Sequence, residues 1–230
     1  MSGIHKKQLG IGIFLMVTFI AVMVVVFMPI FGGGNALNYL DNLYNSISKG
    51  SAYYIPKVEH LVQEHGSQQV TLNLKMADSI AAQSAEPLFA RTGATTAVQG
   101  NTLMVNGDLE AIFSSCLEDA ESAYRNRGDE LEARYGGSPR ATLHSWWLAL
   151  NAMEKDFNRQ KLFAAAQLTH TVQAKTVECA YNYYGIEAQA IKDRWATVLF
   201  SLLFYVLYTV WYGYGIMYTF EGLGFSLSAH

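Results

Sequence analysis

Residues 138–220 read SPRATLHSWWLALNAMEKDFNRQKLFAAAQLTHTVQAKTVECAYNYYGIEAQAIKDRWATVLFSLLFYVLYTVWYGYGIMYTF. Gly136 and Gly137 stop whatever helix precedes them, Ser138 is a natural N-cap, and Pro139 suits the first helical position. No proline follows and no glycine occurs before Gly185, so residues 140–184 hold nothing that breaks a helix. Leu143, Trp146, Trp147, Leu150, Met153, Phe157, Ala164, Leu168, Val172 and Cys179 recur at three- and four-residue steps, the spacing of one buried helical face. Residues 196–220 then form an uncharged apolar run. As a helix it spans roughly 37 Å, enough to cross a hydrocarbon core of about 30 Å with some tilt. The expectation is a long helix feeding directly into a membrane helix.

Working outward, a second apolar run covers residues 9–31. Its flank carries His5, Lys6 and Lys7 like the start of a signal peptide, but the run is longer than a secretory apolar region and no small-x-small site precedes Gly32. It reads as an uncleaved signal anchor. Lys6 and Lys7 favour a cytoplasmic N-terminus, whereas Lys192 and Arg194 flank the second span from within the intervening segment. Because the first helix usually dominates, the middle domain is expected outside the cytoplasm, in a periplasmic or extracellular position on the cytoplasmic membrane. The expected segments are a short cytoplasmic N-terminus at 1–8, spans at 9–31 and 196–220, an extramembrane domain at 32–195, and a short tail at 221–230.

The hydrophobic fraction of 51% is at the upper edge of ordinary globular composition, and its excess is concentrated in those two runs, which leaves a middle of ordinary polarity, large enough for its own core. With a net charge of −3 and both signs interspersed, nothing suggests a nucleic-acid footprint. Asn35 can cap a helix running to about Ser48, and Pro56 begins another that stops at His65-Gly66. Val70, Leu72, Leu74 and Met76 alternate as in a strand, yet the alanine-rich continuation favours a helix from about Leu72 to Pro87 or Ala90. Residues 91–107 read as a loop, and Asp108 caps a strong amphipathic helix. The fold class is therefore all-α: two transmembrane helices flank an extramembrane helical bundle, whose long last helix runs into the second span.

The two cysteines, Cys116 and Cys179, form a candidate disulfide if the domain is exported. Straight antiparallel helices meeting at Gly136-Gly137 would place them roughly 30 and 63 Å from the turn, too far apart to bond. Either the long helix breaks or both thiols are free. His60 and His65 are five residues apart, so they do not share a helical face as zinc-protease pairs do. No haem, redox, nucleophile-elbow, phosphate-loop or di-iron signature is present, so neither a cofactor nor a metal is expected. Neither span contains His, Asp, Glu, Lys or Arg.

The second span is rich in tyrosine. Tyr205, Tyr208 and Tyr212, with Gly213 and Gly215, are expected to pack on another protein helix, either the first span or a neighbouring subunit. Tyr39 and Tyr44 from the first half and Tyr181 and Tyr184 from the second are expected to form a juxtamembrane aromatic layer. The resulting expectation is a non-enzymatic accessory or scaffolding subunit in contact with lipid and with other membrane subunits or itself. The rival is a ligand-sensing module for a small molecule: two spans around a helical bundle resemble, in architecture alone, the sensor domain of bacterial chemoreceptors. The cytoplasmic output such receptors need is not visible after Phe220.

Overall fold

The computed structural model describes residues 5–30 and 33–225, so parts of the expected N-terminal segment, of the first span at residue 31, and of the C-terminal tail lie outside the described residues. The chain forms two compact units, one built from Met1–Ile47 and Ala188–His230, the other from Ser48–Glu187.

The first unit contains α1 (Lys6–Phe27), the opening of α2 (Ala36–Ser51) and α10 (Ile191–Gly222). α1 and α10 are the two helices long and apolar enough to cross a membrane. α10, at 32 residues, extends about 48 Å and so outruns a hydrocarbon core of about 30 Å. Its excess is the polar first turn with Lys192, Asp193 and Arg194. The two helices lie antiparallel along each other. Asn35 caps α2 as expected, its Oδ1 accepting the Asn38 N–H at 2.9 Å.

The second unit continues from α2 into α3 (Ile55–His65), β1 (Gln69–Lys75), α4 (Ser79–Ala90), β2 (Thr95–Gln99) and β3 (Thr102–Asp108). There follow α5 (Leu109–Tyr124), α6 (Gly128–Tyr135), α7 (Pro139–Arg159) and α8 (Phe163–Val172), then a π-turn (Gln173–Val177) and α9 (Glu178–Tyr183). Helices take 73% of the chain and strands 9%, so the helical expectation holds in the main but misses a sheet. That sheet is antiparallel, in the order β1-β3-β2.

Three features depart from the sequence reading, each for a local reason. Residues 69–75 are a strand because Val70, Leu72 and Leu74 are buried while Thr71, Asn73 and Lys75 face out, a period of two. The helix expected there starts only at Ser79, where Asp78 accepts the Ala81 N–H at 2.8 Å. Residues 91–107 are a hairpin rather than a loop. Gly100 alone of the two turn residues has positive φ, +60°, which fits a II′ turn between the paired Gln99 and Thr102.

The long helix is the third correction. It breaks at residues 160–162, where Lys161 takes φ +63° and the Leu162 N–H bonds back to the Phe157 carbonyl at 2.9 Å. Beyond the break the buried face is reset: Ala165, Ala166, Leu168 and Thr169 are buried, while Phe163 is exposed. A second interruption at Gly185, φ +84°, and the extended residues to Ala190 separate α9 from α10. The bundle helix therefore does not run into the second span.

The core of this unit gathers Leu72, Leu74, Phe89, Phe113, Leu143, Trp146, Met153 and Phe157, all essentially inaccessible. Each of these large side chains contributes on the order of 1.5–3 kcal/mol by leaving water. Asp108 and Ser138 cap α5 and α7 by accepting the Ala111 and Ala141 N–H groups at 2.9 and 3.3 Å. Gly136, φ +72°, ends α6 in the left-handed conformation a side chain would oppose.

Candidate functional site

In the first unit the chemistry is that of a helix seam. Phe19 of α1 stacks on Tyr208, ring centroids 4.5 Å apart, and meets Tyr212 at 5.0 Å. The Tyr208 hydroxyl donates to the Met23 thioether, and the Trp211 indole N–H donates to the Leu15 carbonyl at 3.1 Å. Gly215 lies against Leu15 and Met16. Tighter still are Gly12, where a β-carbon would sit 2.5 Å from the Thr219 nitrogen, and Gly222, where one would sit 2.5 Å from the Leu9 backbone. The only sequence signal of Gly222 is its small size at a helix end. Tyr208, Tyr212 and Gly215 thus serve contact with the first span, while Tyr205 is 66% exposed and Gly213 has open space around it.

Of the expected aromatic layer, Tyr39 and Tyr44 belong to the first unit and Tyr181 and Tyr184 to the second. The Tyr44 hydroxyl shares a 2.6 Å hydrogen bond with the Ser201 hydroxyl of α10. Tyr181 and Tyr184 flank the Arg140 guanidinium, 5.4 and 5.9 Å from the ring centroids, a cation–π arrangement. Arg140 also donates to the Tyr184 carbonyl at 3.2 Å. Tyr181 borders a recess of about 350 Å³ with Trp147 and Glu178, the indole N–H donating to the carboxylate at 2.8 Å. The π-turn Gln173–Val177 ends immediately before Glu178.

Two polar networks cross the second unit. Lys49, only 4% exposed, donates to the Tyr183 and Ile186 carbonyls at 3.1 and 2.6 Å and to Asn126 at 3.3 Å, while Tyr124 donates to its carbonyl. Cation and helix C-terminus suit each other. Burial nevertheless holds the Lys49 ammonium below its usual range, with the Glu187 charge acting the other way. Asp119, fully buried on α5, accepts from Arg134 at 2.8 Å, Tyr135 at 2.7 Å and the Trp146 indole at 2.9 Å.

Cys116 and Cys179 are free thiols, so the candidate disulfide is not formed. Burial, helped by the Asp119 charge, pushes the Cys116 thiol well above its ordinary range, and burial raises Cys179 as well. Both are poor nucleophiles in consequence. His60 meets Glu64 at 3.4 Å on an exposed helix face. Among the described residues no group of three His, Cys, Asp or Glu side chains converges as a metal would require.

The buried phenols make alkaline stability testable. Burial pushes Tyr124 up to about 12, and burial with the Asp119 hydrogen bond raises Tyr135 further. A phenol raised in the folded state holds its proton more tightly there, so its contribution is complete below pH 10 and is lost as pH climbs towards about 12. Lys49, held low by burial, acts in the opposite sense. We expect Tyr124→Phe to flatten the fall in urea midpoint between pH 10 and 12 relative to wild type. An unchanged slope would show that the phenol titrates normally.

Compared with protein-family models, with curated proteins and with solved structures, the chain matches none.

Proposed function

We propose that this chain is a membrane-anchored, non-enzymatic accessory subunit: a two-helix anchor carrying an exported domain that docks within a larger membrane assembly. The observation that carries the reading is the anchor itself. α1 and α10 use one narrow seam for each other and turn the rest of their apolar surface outward. On α10 that outward surface includes Tyr205, Gly213 and Tyr214, a mix of hydroxyls and an open glycine where pure lipid contact would be served by leucine and valine. In this reading a helix of another subunit approaches at Gly213, and the phenols of Tyr205 and Tyr214 find hydrogen-bond acceptors on it.

The test is purification in mild detergent with a photo-crosslinking residue placed at position 213 or, as a control, at 222 in the internal seam. A single stoichiometric partner captured from 213 and not from 222 is expected. Tyr205→Leu with Tyr214→Leu, in the chain carrying the photo-crosslinking residue at 213, should reduce that capture at least fivefold at unchanged yield of folded chain, because both rings are exposed rather than packed inside the anchor. Wild-type recovery of every partner by this double variant would show that the face is adapted to lipid alone.

A further inference from the structure

A recess of about 560 Å³, independent of the anchor, lies in the second unit beside the outer edge of β1 and the C-terminal half of α7. Its volume falls in the range of small-molecule sites. The backbone of β1 explains why the edge is open there. Hydrogen bonds from the Leu109 N–H to Gln68 and from the Met76 N–H to Asn101 bracket the β1–β3 ladder, so the even-numbered residues of β1 face β3. Odd-numbered residues then turn their N–H and carbonyl groups to the free edge. Asp156 takes the Asn73 N–H at 3.0 Å and Gln160 donates to the Thr71 carbonyl at 3.0 Å, which blunts the edge as far as residue 73. The Lys75 N–H remains on the recess side.

The charged groups of the lining are donors except for Asp156. Lys75 and Lys155 border the recess with no ion pair among the described residues, and the amides of Asn73 and Asn151 stand beside them with no side-chain partner. The one carboxylate, Asp156, is buried and already saturated by the Asn73 N–H, by Gln160 at 2.8 Å and by Arg159. Three cations against one occupied carboxylate leave a positive recess in a chain whose net charge is −3. Met76, Leu148 and Ala152 supply an apolar wall.

We propose that this recess binds a small organic anion carrying two or more carboxylates. Two free ammonium groups and a backbone N–H call for more than one anionic acceptor, and charge-assisted hydrogen bonds of this kind are the strong ones. The apolar wall takes the carbon skeleton, which inorganic phosphate lacks.

The experiment is calorimetric titration of the full chain in detergent with citrate, succinate and inorganic phosphate at constant ionic strength. Citrate or succinate should bind saturably, one per chain, and at least tenfold more tightly than phosphate. Lys75→Ala and Lys155→Ala should each weaken binding about tenfold, the scale of one charge-assisted hydrogen bond. Lys155→Gln serves as a milder replacement, and Lys57→Ala, on the exposed side of α3, should change nothing. Absence of saturable carboxylate binding, binding indifferent to Lys75 and Lys155, or phosphate binding as tight as citrate would each overturn the proposal. Loss of the crosslinked partner in the anchor experiment would leave this result untouched.

Discussion

Asp119→Ala is expected to lower the stability of the second unit by about 2–4 kcal/mol, because a buried donor that loses its acceptor costs about 1–3 kcal/mol. The side chain is inaccessible and collects three donors from three places: Arg134 on α6, Tyr135 at the end of α6 and Trp146 in α7. Alanine removes the acceptor from all three at once. Arg134 keeps a partner in Glu118, at 2.6 Å, and Tyr135 is half-buried, but the fully buried Trp146 indole N–H is left with no acceptor. Asp119→Asn should cost less, since the amide oxygen still accepts one of the three bonds, but its NH₂ then faces donors. The measurement is a urea midpoint followed through tryptophan fluorescence. The Cys116 thiol adds a second reading: it is inaccessible, so alkylation waits on opening of the unit and should speed up as stability falls. A loss below about 1 kcal/mol would mean that the three donors find other partners or water.

That network shows why only part of the molecule is legible in the chain. The two apolar helices can be read directly, because length and the absence of charge are properties of the sequence itself. The caps at Asn35, Asp108 and Ser138 are equally local, each a side chain closing on an N–H three residues away. The strand at 69–75 was also visible, in the alternation from Val70 to Met76, but the alanines after Asp78 pulled the reading towards a helix. Propensity there gave way to a cap that starts the helix at Ser79. The break at residues 160–162 carries no glycine or proline. It depends on Asp156 and Gln160 turning to the edge of β1, a contact 83 to 89 residues away in sequence that no window along the chain contains. The donor-lined recess was invisible for the same reason, since Lys75 and Lys155 become neighbours only once that strand is recognised. For the cysteines, the sequence reading left a broken helix and free thiols as alternatives, and the structure shows both.

The anchor carries the second large effect. Gly12→Ala combined with Gly222→Ala is expected to open the α1–α10 seam, whereas Gly215→Ala is expected to be tolerated. A β-carbon at Gly12 would stand 2.5 Å from the Thr219 nitrogen and 2.9 Å from its Cα, and one at Gly222 would stand 2.5 Å from both the Leu9 nitrogen and Cα. Backbone of a facing helix cannot swing aside, so the helices must separate at both contacts, and dispersion contacts fall steeply with each half ångström of gap. At Gly215 the nearest atom is the Met16 sulfur at 2.9 Å, the end of a flexible side chain that can rotate away. Separation at the glycine end would also release the Trp211 bond to Leu15 and the Phe19 stack on Tyr208, which lie next along the same seam. In full-length chain carrying spin labels at exposed positions 13 and 214, the double variant should lengthen and broaden the interhelix distance distribution, while Gly215→Ala keeps the wild-type peak. An unchanged distribution in the double variant would mean that the two helices are not held by close backbone approach, and the division of α10 into an internal seam and an outward docking face would fail with it.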